Sequence, residues 1–313
     1  MASSSFQKSD LKAGPASAPP ITSPPENMKI SLPNLIVATV FAVAASSATA
    51  QTLGSAGNYD IFVTNGGILE LKDANQLFGQ VAISNSAQLK AGKDDQTFDG
   101  TIFAHTGSSI DNESKLHPSG GIQRSVAIND ALNLANADLN AYRTYLAGLS
   151  ATGGGSNVSV TSTSSFNSTG SLNVLDFKTI DLDKESFTLT GGAGGMDTFV
   201  IRVNTEFEFK ESDLVLNNLN IDNVIWYYTG TKNFELHKSD SDPANFMKFA
   251  GTVIAPNAGD VRIGEVDFTG RVYGSNLKMG SGFKFQGAVP EPSSSVMMIF
   301  GAASLLLVRR RKH

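Results

Sequence analysis

Histidine and cysteine, the residues that most often bind transition metals, are sparse in this sequence. The chain contains four histidines and no cysteine. His105, His117 and His237 lie far apart, and none belongs to a His-Glu-x-x-His motif, whose spacing places two imidazoles on one face of a helix. A metal site would require the fold to bring its ligands together from distant positions, and we predict neither a metal site nor a cofactor.

Carboxylates and glycines occur in clusters that could bind ions or phosphate. Acidic residues group at positions 94–95, 181–183 and 240–242, but none of these groups has the spacing of a calcium-binding loop, so we interpret them as solvated carboxylates in turns. The glycine-rich segment 191–195 lacks the Lys-Ser/Thr pair of a phosphate-binding loop and is predicted to be a wide turn. Because the sequence does not place two carboxylates at the separation that a glycosidase needs, we assign no catalytic residue.

Three consecutive aromatic residues, Trp226, Tyr227 and Tyr228, form a candidate ligand face. Successive side chains of a strand point to opposite faces, so Trp226 and Tyr228 share one face and Tyr227 occupies the other. On an uncovered sheet these rings could stack on sugar, whereas beneath a helix they are core residues. The pattern favours the core interpretation and leaves the ligand face as an alternative.

Charge and cysteine content narrow the classes of protein. Residues 51–288 hold 17 Lys and Arg against 26 Asp and Glu, a net charge of −9. Such a surface repels phosphate backbones, so we expect no nucleic-acid partner. The absence of cysteine excludes disulfides and thiol catalysis. A body of about 240 residues is large enough for one domain with a sizeable core.

One segment of the body predicts a long helix among short strands. Elsewhere, short β-prone runs are separated by Gly, Asn, Ser and Asp, which is typical of an all-β protein. Between Gly121 and Gly153, apolar residues recur at steps of three and four, which predicts an amphipathic helix of about 25 residues lying against a sheet. These positions are Ile128, Leu132, Ala135, Leu139, Tyr142, Leu146 and Leu149. The Ser- and Thr-rich segment 153–170 is predicted to be a loop or irregular coil.

A short phrase of Phe, Gly and an apolar run repeats in both halves of the body. Copies begin at Phe78 and Phe98, 20 residues apart, and at Phe249 and Phe268, 19 residues apart. This distance matches one coil of a parallel β-helix, in which glycine permits the corner and apolar residues stack on those of the next coil. We predict a mainly β fold, a parallel β-helix with the long helix packed alongside. A β-sandwich whose strands share a turn type is the alternative.

The C-terminus joins three different segments. A stiff Pro-Glu-Pro unit precedes an apolar run at 296–308, and a cluster of cations ends the chain. The apolar run predicts a helix of about 20 Å, or about 24 Å with residues 293–295, which is short of a hydrocarbon core of about 30 Å, so it can only just insert. Because the cations favour the cytoplasmic side, we predict a membrane-spanning helix with the body outside; a buried helix with a basic cap is the alternative. The candidate sorting residues are Val289, Pro290, Glu291, Pro292, Arg309, Arg310 and Arg311.

The N-terminus has the pattern of a signal peptide over residues 28–50. Lys29 precedes an apolar stretch at 35–45, and the small residues Ala48 and Ala50 stand where a signal peptidase requires them. We predict cleavage between Ala50 and Gln51. Residues 1–27, rich in Ser and Pro, are interpreted as a disordered leader or a mis-called start.

Both the tail and the body resemble known families. The order of Pro-Glu-Pro, apolar helix and Arg-rich end at 289–313 resembles the PEP-CTERM sorting signal of Gram-negative bacteria. This resemblance implies that an exosortase recognises the tail and removes the residues beyond about Pro292 after transient anchoring in the inner membrane. Segments 223–228, 249–258 and 268–275 resemble the end of the choice-of-anchor A domain, and 59–63 with 79–83 its opening. This implies a secreted, adhesive domain over residues 51–288.

The order of early coils, long helix and late strands is also similar to the ice-binding β-helix family, which implies a right-handed parallel solenoid. We therefore predict a non-enzymatic adhesin of the outer envelope, cell surface or extracellular biofilm matrix. Its expected partners are signal peptidase and exosortase during export, and exopolysaccharide or another cell-surface ligand afterwards.

Two other functions stay open on the same scaffold. An ice-binding protein needs a flat outer face with regularly spaced threonines, and Thr101, Thr252 and Thr269 do not by themselves define such a row. A polysaccharide-active enzyme is the third hypothesis.

Overall fold

The computed structural model describes residues 52–72, 75–238 and 246–287. This part of the chain is mainly β, with one α-helix, α1 (Val126–Gly148). Within it, no helix is both long enough and apolar enough to cross a membrane. The predicted signal peptide with its cleavage residues Ala48, Ala50 and Gln51, and the predicted sorting helix, lie outside the described residues.

Most strands are short, four of them are 11 to 14 residues long, and every pairing between the described strands is parallel. Those before α1 are β1 (Ile61–Leu71), β2 (Gln76–Phe78), β3 (Val81–Ile83), β4 (Gln88–Ala91), β5 (Thr97–Asp99), β6 (Ile102–Ala104), β7 (Ser109–Asp111) and β8 (Ile122–Gln123). Those after it are β9 (Gly153–Gly154), β10 (Ser159–Val160), β11 (Ser164–Asn167), β12 (Leu172–Asp183), β13 (Ser186–Thr190), β14 (Thr198–Lys210), β15 (Asp213–Asn217), β16 (Val224–Tyr228), β17 (Phe234–His237), β18 (Met247–Ala255), β19 (Val261–Gly264), β20 (Val266–Met279) and β21 (Lys284–Gly287). The predicted parallel β-helix with one long helix alongside is confirmed.

Each coil has three faces. The helix-covered face contains β3, β6, β8, β9, β16, the first parts of β1, β12 and β14, the middle of β20 and the end of β18. The charged face contains β4, β7, β10, β17, β19 and the last parts of β1, β12, β14 and β20. The open face contains β2, β5, β11, β13, β15, β21 and the first parts of β18 and β20.

The coils do not stack in the order of the sequence. On the helix-covered face the order is β8, β6, β3, β1, β20, β18, β16, β14, β12 and β9. The first coil therefore pairs with one of the last, with Ile61 opposite Val272 and Leu69 opposite Leu277. Nine steps of about 4.8 Å give about 43 Å, and a 23-residue helix is about 34 Å long. Together with the short segments 124–125 and 149–152, α1 therefore carries the chain from β8 at one end of the stack to β9 at the other.

The interior of the coils is filled by aliphatic side chains together with rows of aromatic rings. Phe249, Phe268 and Phe285 stack along one line, with ring centroids 5.8 and 5.6 Å apart. Phe207 and Phe234 stack at 4.0 Å on neighbouring strands. Each fully buried side chain of this size stabilises the fold by about 1.5–3 kcal/mol relative to an exposed one, so these stacks account for much of the stability of the described domain.

Glycine corners set the coil length that the repeated phrase predicts. Gly251 and Gly270 are register partners with φ of 115° and 138°, and a Cβ on Gly270 would overlap the carbonyl oxygen of Gly251. Only glycine fits two chains this close in this conformation. The 19-residue spacing of Phe249 and Phe268 is confirmed, because the two residues pair directly.

In the other half the predicted register is wrong by one residue. Leu77, rather than Phe78, pairs with Phe98, so the coil is 21 residues long and not 20. Phe78 lies outside the core with 42% of its surface exposed. The physical reason is the alternation of a strand: Phe78 directly precedes its corner glycine without a spacer, so the inward position falls on Leu77.

The long helix predicted from the sequence is confirmed, whereas the segment after it differs from its prediction. Residues Leu132, Ala135, Leu139, Tyr142 and Leu146 of α1 are buried, as the apolar periodicity indicates. The Ser125 hydroxyl caps the helix by accepting the backbone N–H of Ile128 at 3.2 Å. Segment 153–170, predicted to be a loop or irregular coil, contains the short strands β9, β10 and β11, because Val160 and Phe166 supply inward side chains for a terminal coil.

Candidate ligand-binding faces

The three candidate aromatic residues lie in the core. Trp226 and Tyr228 point into the coil interior and are each 1% exposed, while Tyr227 points outward beneath α1 and is 7% exposed. The indole N–H of Trp226 donates to the Ala250 carbonyl at 3.0 Å, and the Tyr228 hydroxyl donates to the Thr205 carbonyl at 2.9 Å. The shared face of Trp226 and Tyr228 follows the predicted alternation. Because both sides of β16 are covered, none of the three rings is available to a ligand.

The helix-covered face is a second apolar layer outside the coils. Its outward residues are buried under α1: Phe62, Ala82, Val174, Val200, Ile225, Tyr227, Ile254 and Tyr273. The Tyr273 hydroxyl donates to the carbonyls of Ala56 and Tyr59, at 3.1 and 2.9 Å, and burial raises the pKa of Tyr273 far above its usual range. This face binds the protein's own helix.

Polar contacts fix α1 along its length. Near its start, the Asn129 carboxamide donates to the Thr106 hydroxyl at 2.8 Å and accepts the Thr106 N–H at 2.9 Å. Midway, a carboxylate oxygen of Asp138 accepts the Ser55 N–H at 2.7 Å. Because these contacts accompany the apolar packing, α1 is a fixed part of the domain and leaves the other two faces as the uncovered ones.

Arg202 completes the end of the helix. Its Nη1 donates to the carbonyls of Leu146, Ala147 and Leu149 at 3.0, 3.1 and 2.8 Å, and its Nη2 donates to Asp176 Oδ2 at 2.8 Å. A helix leaves its last carbonyls without partners and carries partial negative charge there. The guanidinium satisfies both needs, and Asp176 on the neighbouring strand holds it in place.

A row of eight charged residues crosses the charged face. Each is the register partner of the next on successive strands, about 4.8 Å apart. In order along the stack they are Asp181, Glu208, Glu235, Arg262, Lys278, Glu70, Lys90 and Asp111. Three carboxylates come first, and the other five residues are three basic residues and the acidic Glu70 and Asp111, so the face has an acidic part and a part with a small excess of basic residues.

The acidic part concentrates several titratable groups. Burial raises the pKa of Asp181, and the charges of Glu208, Glu206 and Asp183 raise it further. On the same strand, a hydrogen bond from Lys210 holds the pKa of Asp183 below its usual range. Glu208 Oε1 and His237 Nε2 lie 3.0 Å apart, and Arg262 Nη1 contacts Glu235 Oε1 at 3.2 Å. Like charges therefore face one another from Asp181 to Glu235, and Arg262, the next residue of the row, pairs with Glu235.

The open face divides into two parts. On β11, β13 and β15 the outward residues are small and mostly uncharged, in rows Ser165–Thr188–Val215 and Asn167–Thr190–Asn217. On the remaining strands one row reads Lys248, Asp267, Lys284, Gln76 and Thr97. Between the parts, where β15 and β18 are not paired, lies a groove of about 460 Å³ lined by residues such as Leu214, Leu216 and Lys248. Thr252, one of the threonines singled out in the sequence, is buried instead.

The family comparison agrees with this architecture. The model of an ice-binding-like adhesive domain matches residues 33–285. The chain belongs to this family. The match begins before the predicted cleavage site after Ala50, which stays a prediction. A second model, the PEP-CTERM protein-sorting motif, matches residues 288–312, which include Val289, Pro290, Glu291, Pro292, Arg309, Arg310 and Arg311. The resemblances to the ice-binding β-helix family and to the PEP-CTERM sorting signal are confirmed, while the choice-of-anchor A name stays a resemblance.

Solved structures similar to this ice-binding-like adhesive domain are ice-binding proteins. One from the ascomycete Antarctomyces psychrotrophicus is 16% identical, with a TM-score of 0.45, and the alignment covers 77% of this chain and 99% of that one. One from Shewanella frigidimarina is 16% identical, with a TM-score of 0.48 and coverages of 76% and 96%. One from an Antarctic Flavobacteriaceae bacterium is 21% identical, with a TM-score of 0.44; the alignment covers 79% of this chain, which spans half of the length of that protein. No curated protein matches the sequence.

The two family matches together give the biological setting. An adhesive-type domain followed by a PEP-CTERM motif identifies an exported cell-surface protein that is processed by an exosortase. No enzyme family is among these matches. In this domain α1 covers the third face, so the charged and open faces are the surfaces that a ligand can reach.

Proposed function

We propose that the mature domain is a non-enzymatic adhesin of the outer envelope or extracellular matrix, and that it contacts exopolysaccharide through the charged face. The observation that supports this proposal is the uncovered row of eight charged residues at a constant spacing. A surface with charged residues at one spacing along its length suits a polymer of repeating units, because several contacts can form at once. The basic part, with Lys278 and Lys90, suits acidic sugars, although the net charge of the domain is negative.

Binding to exopolysaccharide isolated from the producing bacterium tests this proposal. A double variant, Lys90→Ala with Lys278→Ala, removes two cations from the charged face, and we expect binding to weaken about tenfold. The matched control, Lys248→Ala with Lys284→Ala, removes two cations from the open face and should bind like the wild type. Equal losses in both variants, or no binding by the wild type, would contradict the proposal.

Export and the absence of catalysis need separate measurements. Cell fractionation should recover a mature chain outside the inner membrane that begins at Gln51 and lacks residues beyond about 292, and a full-length chain in the cytosol would exclude an adhesin role. Incubation of the purified protein with matrix polysaccharides should release no reducing sugar. Release that disappears on substitution of a carboxylate pair would favour the enzyme hypothesis.

Ice binding is a second candidate because Thr188 and Thr190 stand on the uncovered outer side of β13. The rows around them contain Ser, Asn and Val, and they extend over three strands before the groove interrupts the face. An adhesin should show no thermal hysteresis. Thermal hysteresis that is lost in Thr188→Tyr but retained in Lys278→Ala would instead assign the function to the open face.

A further inference from the structure

The fold brings together three metal-binding side chains that are spread over 30 residues of sequence. Glu208 lies on β14, and Glu235 and His237 lie on β17. One ligand atom from each, two carboxylate oxygens and an imidazole nitrogen, lies within 4.8 Å of the other two. No other such group of three exists among the described residues. The three side chains are all partly buried, so they are neither freely mobile nor closed to solvent.

The strand register fixes this geometry. Glu208 and Glu235 are direct partners, and His237 follows Glu235 by two residues and therefore points to the same side. The alternate residues Phe207, Phe209 and Leu236 point inward and are fully buried. Their packing holds the backbone of both strands, so the three outward ligands need only small side-chain rotations to converge on one ion.

The electrostatic surroundings favour a bound cation. Asp181 and Glu208 are register partners in the same row as Glu235, so three carboxylates stand on adjacent strands. Like charges directly opposite one another destabilise a sheet. Arg262 contacts Glu235 and Lys210 contacts Asp183, whereas Glu208 makes its contact with His237 at 3.0 Å. A metal between Glu208 and His237 would replace a hydrogen bond with two coordination bonds and neutralise part of the row.

The donor set indicates the kind of metal. Calcium and magnesium take oxygen ligands, whereas one imidazole with two carboxylates suits zinc and its first-row neighbours. Three protein ligands are the number found in zinc sites that keep an open position. Grooves of about 420 and 350 Å³ lie beside the cluster, the first lined by Glu235 and His237 and the second by Glu208 and Glu235. They give water or an external oxygen access to that position.

We propose that Glu208, Glu235 and His237 bind one zinc ion on the charged face, with an open coordination position toward solvent. This site does not depend on the proposed adhesive function. It differs from the sequence-based prediction of no metal site, because that prediction considered only the spacing of ligands along the chain.

Isothermal titration of the metal-free, tag-free full-length protein in mild detergent with zinc chloride tests the site. We expect one zinc ion per chain, with affinity at least tenfold lower in His237→Ala and in Glu208→Gln. The control His117→Ala removes a histidine that lies away from the cluster and should bind like the wild type. Glu235→Gln preserves side-chain shape, so it supplies a further variant if His237→Ala does not fold.

Two further measurements show whether zinc binds at this cluster and whether the site prefers zinc. Zinc should raise the melting temperature of the wild type and of His117→Ala, but not that of the two cluster variants, because binding to the folded state stabilises it. Calcium and magnesium at the same concentration should leave the melting temperature unchanged. Equal zinc affinity in all variants, no zinc binding by the wild type, or an equal response to calcium would each overturn the proposal.

Discussion

The helix-covered face and the charged face share four long strands, β1, β12, β14 and β20, yet their outward residues are opposite in character. Along β14, the outward residue is Val200 in the part that α1 covers and Glu208 in the part that faces solvent. Along β20, the corresponding residues are Tyr273 and Lys278. The inward residues are apolar in both places. The comparison shows that the interior defines the coil, while the covering element determines what the outer side of each strand carries.

The two faces also contribute differently to stability. Outward residues under α1 are removed from water and add apolar area to that of the interior. The ion pairs of the charged face, such as Lys278 with Asp260 at 3.0 Å, are partly exposed. Pairs of this kind contribute about 0–1 kcal/mol each. We therefore expect substitutions under α1 to reduce stability most.

A charge placed under α1 should have the largest effect. Ile254 is 1% exposed and faces the helix, so Ile254→Asp buries a carboxylate without a partner. We expect the free energy of unfolding in urea to fall by about 4 kcal/mol or more. Val215→Asp, on the uncovered outer side of β15, is the matched control and should change stability by less than about 0.5 kcal/mol. Similar losses in the two variants would show that α1 does not cover its face in solution.

Loss of the helix-end contact should come next. Arg202→Ala removes the donor to two carbonyls of α1 and to that of Leu149 directly after it, and it leaves Asp176 without its guanidinium. Both residues are mostly buried, and we expect a loss of about 2–4 kcal/mol. On the charged face, Arg262→Ala also removes contacts to two carboxylates, but that guanidinium is half exposed and the expected loss is below about 1 kcal/mol. Urea unfolding of the two variants measures the difference, and an Arg262 loss equal to that of Arg202 would contradict the comparison.

A single hydroxyl under α1 should have a smaller effect. Tyr273→Phe keeps the ring packing but removes the donor to the carbonyls of Ala56 and Tyr59. Because these carbonyls then lack that donor in a buried place, we expect a loss of about 1–2 kcal/mol. Tyr145→Phe, in a partly exposed tyrosine of α1, serves as the control. Thermal unfolding compares the two, and equal stability of both variants would show that the buried hydroxyl contributes nothing.

The sequence predicts those features that have a local period. The spacing of Leu132, Ala135 and Leu139 predicts α1 and its buried side, and the 19-residue distance between Phe249 and Phe268 predicts the coil. Both patterns arise from contacts that recur at a constant interval. The Phe78 register fails because a missing spacer before a corner glycine shifts the alternation by one residue.

Features that depend on distant contacts leave no such period. The pairing of β1 with β20 joins residues more than 200 positions apart, and nothing in either strand specifies the other. Segment 153–170 is rich in Ser and Thr because it forms an end coil with a large exposed surface, which locally resembles a loop. The contact of Glu208 with His237 likewise exists only because β14 and β17 are neighbours in the stack.

The smallest expected effect is a difference in stability between substitutions of two aspartates on β12, Asp181 and Asp183. The pKa of Asp181 is raised by burial and by its acidic neighbours, so its charged form destabilises the fold at neutral pH. Asp181→Asn should therefore stabilise the protein, by only a few tenths of a kcal/mol because solvent screens the repulsion. The pKa of Asp183 is lowered by Lys210, so its charged form favours the fold and Asp183→Asn should bring no gain.

The pH dependence of the two variants follows from the same directions. The advantage of Asp181→Asn should be present at pH 7 and vanish as the pH falls through the raised pKa, since the wild-type carboxyl is then neutral as well. Any stability that Asp183 contributes should be present above the pKa of an ordinary aspartate and be lost as the pH falls through its lowered value. Urea unfolding at pH 7 and at pH 3 measures both. A gain in Asp183→Asn equal to that in Asp181→Asn would mean that the net charge of the face governs its stability, and not the neighbours of each carboxylate.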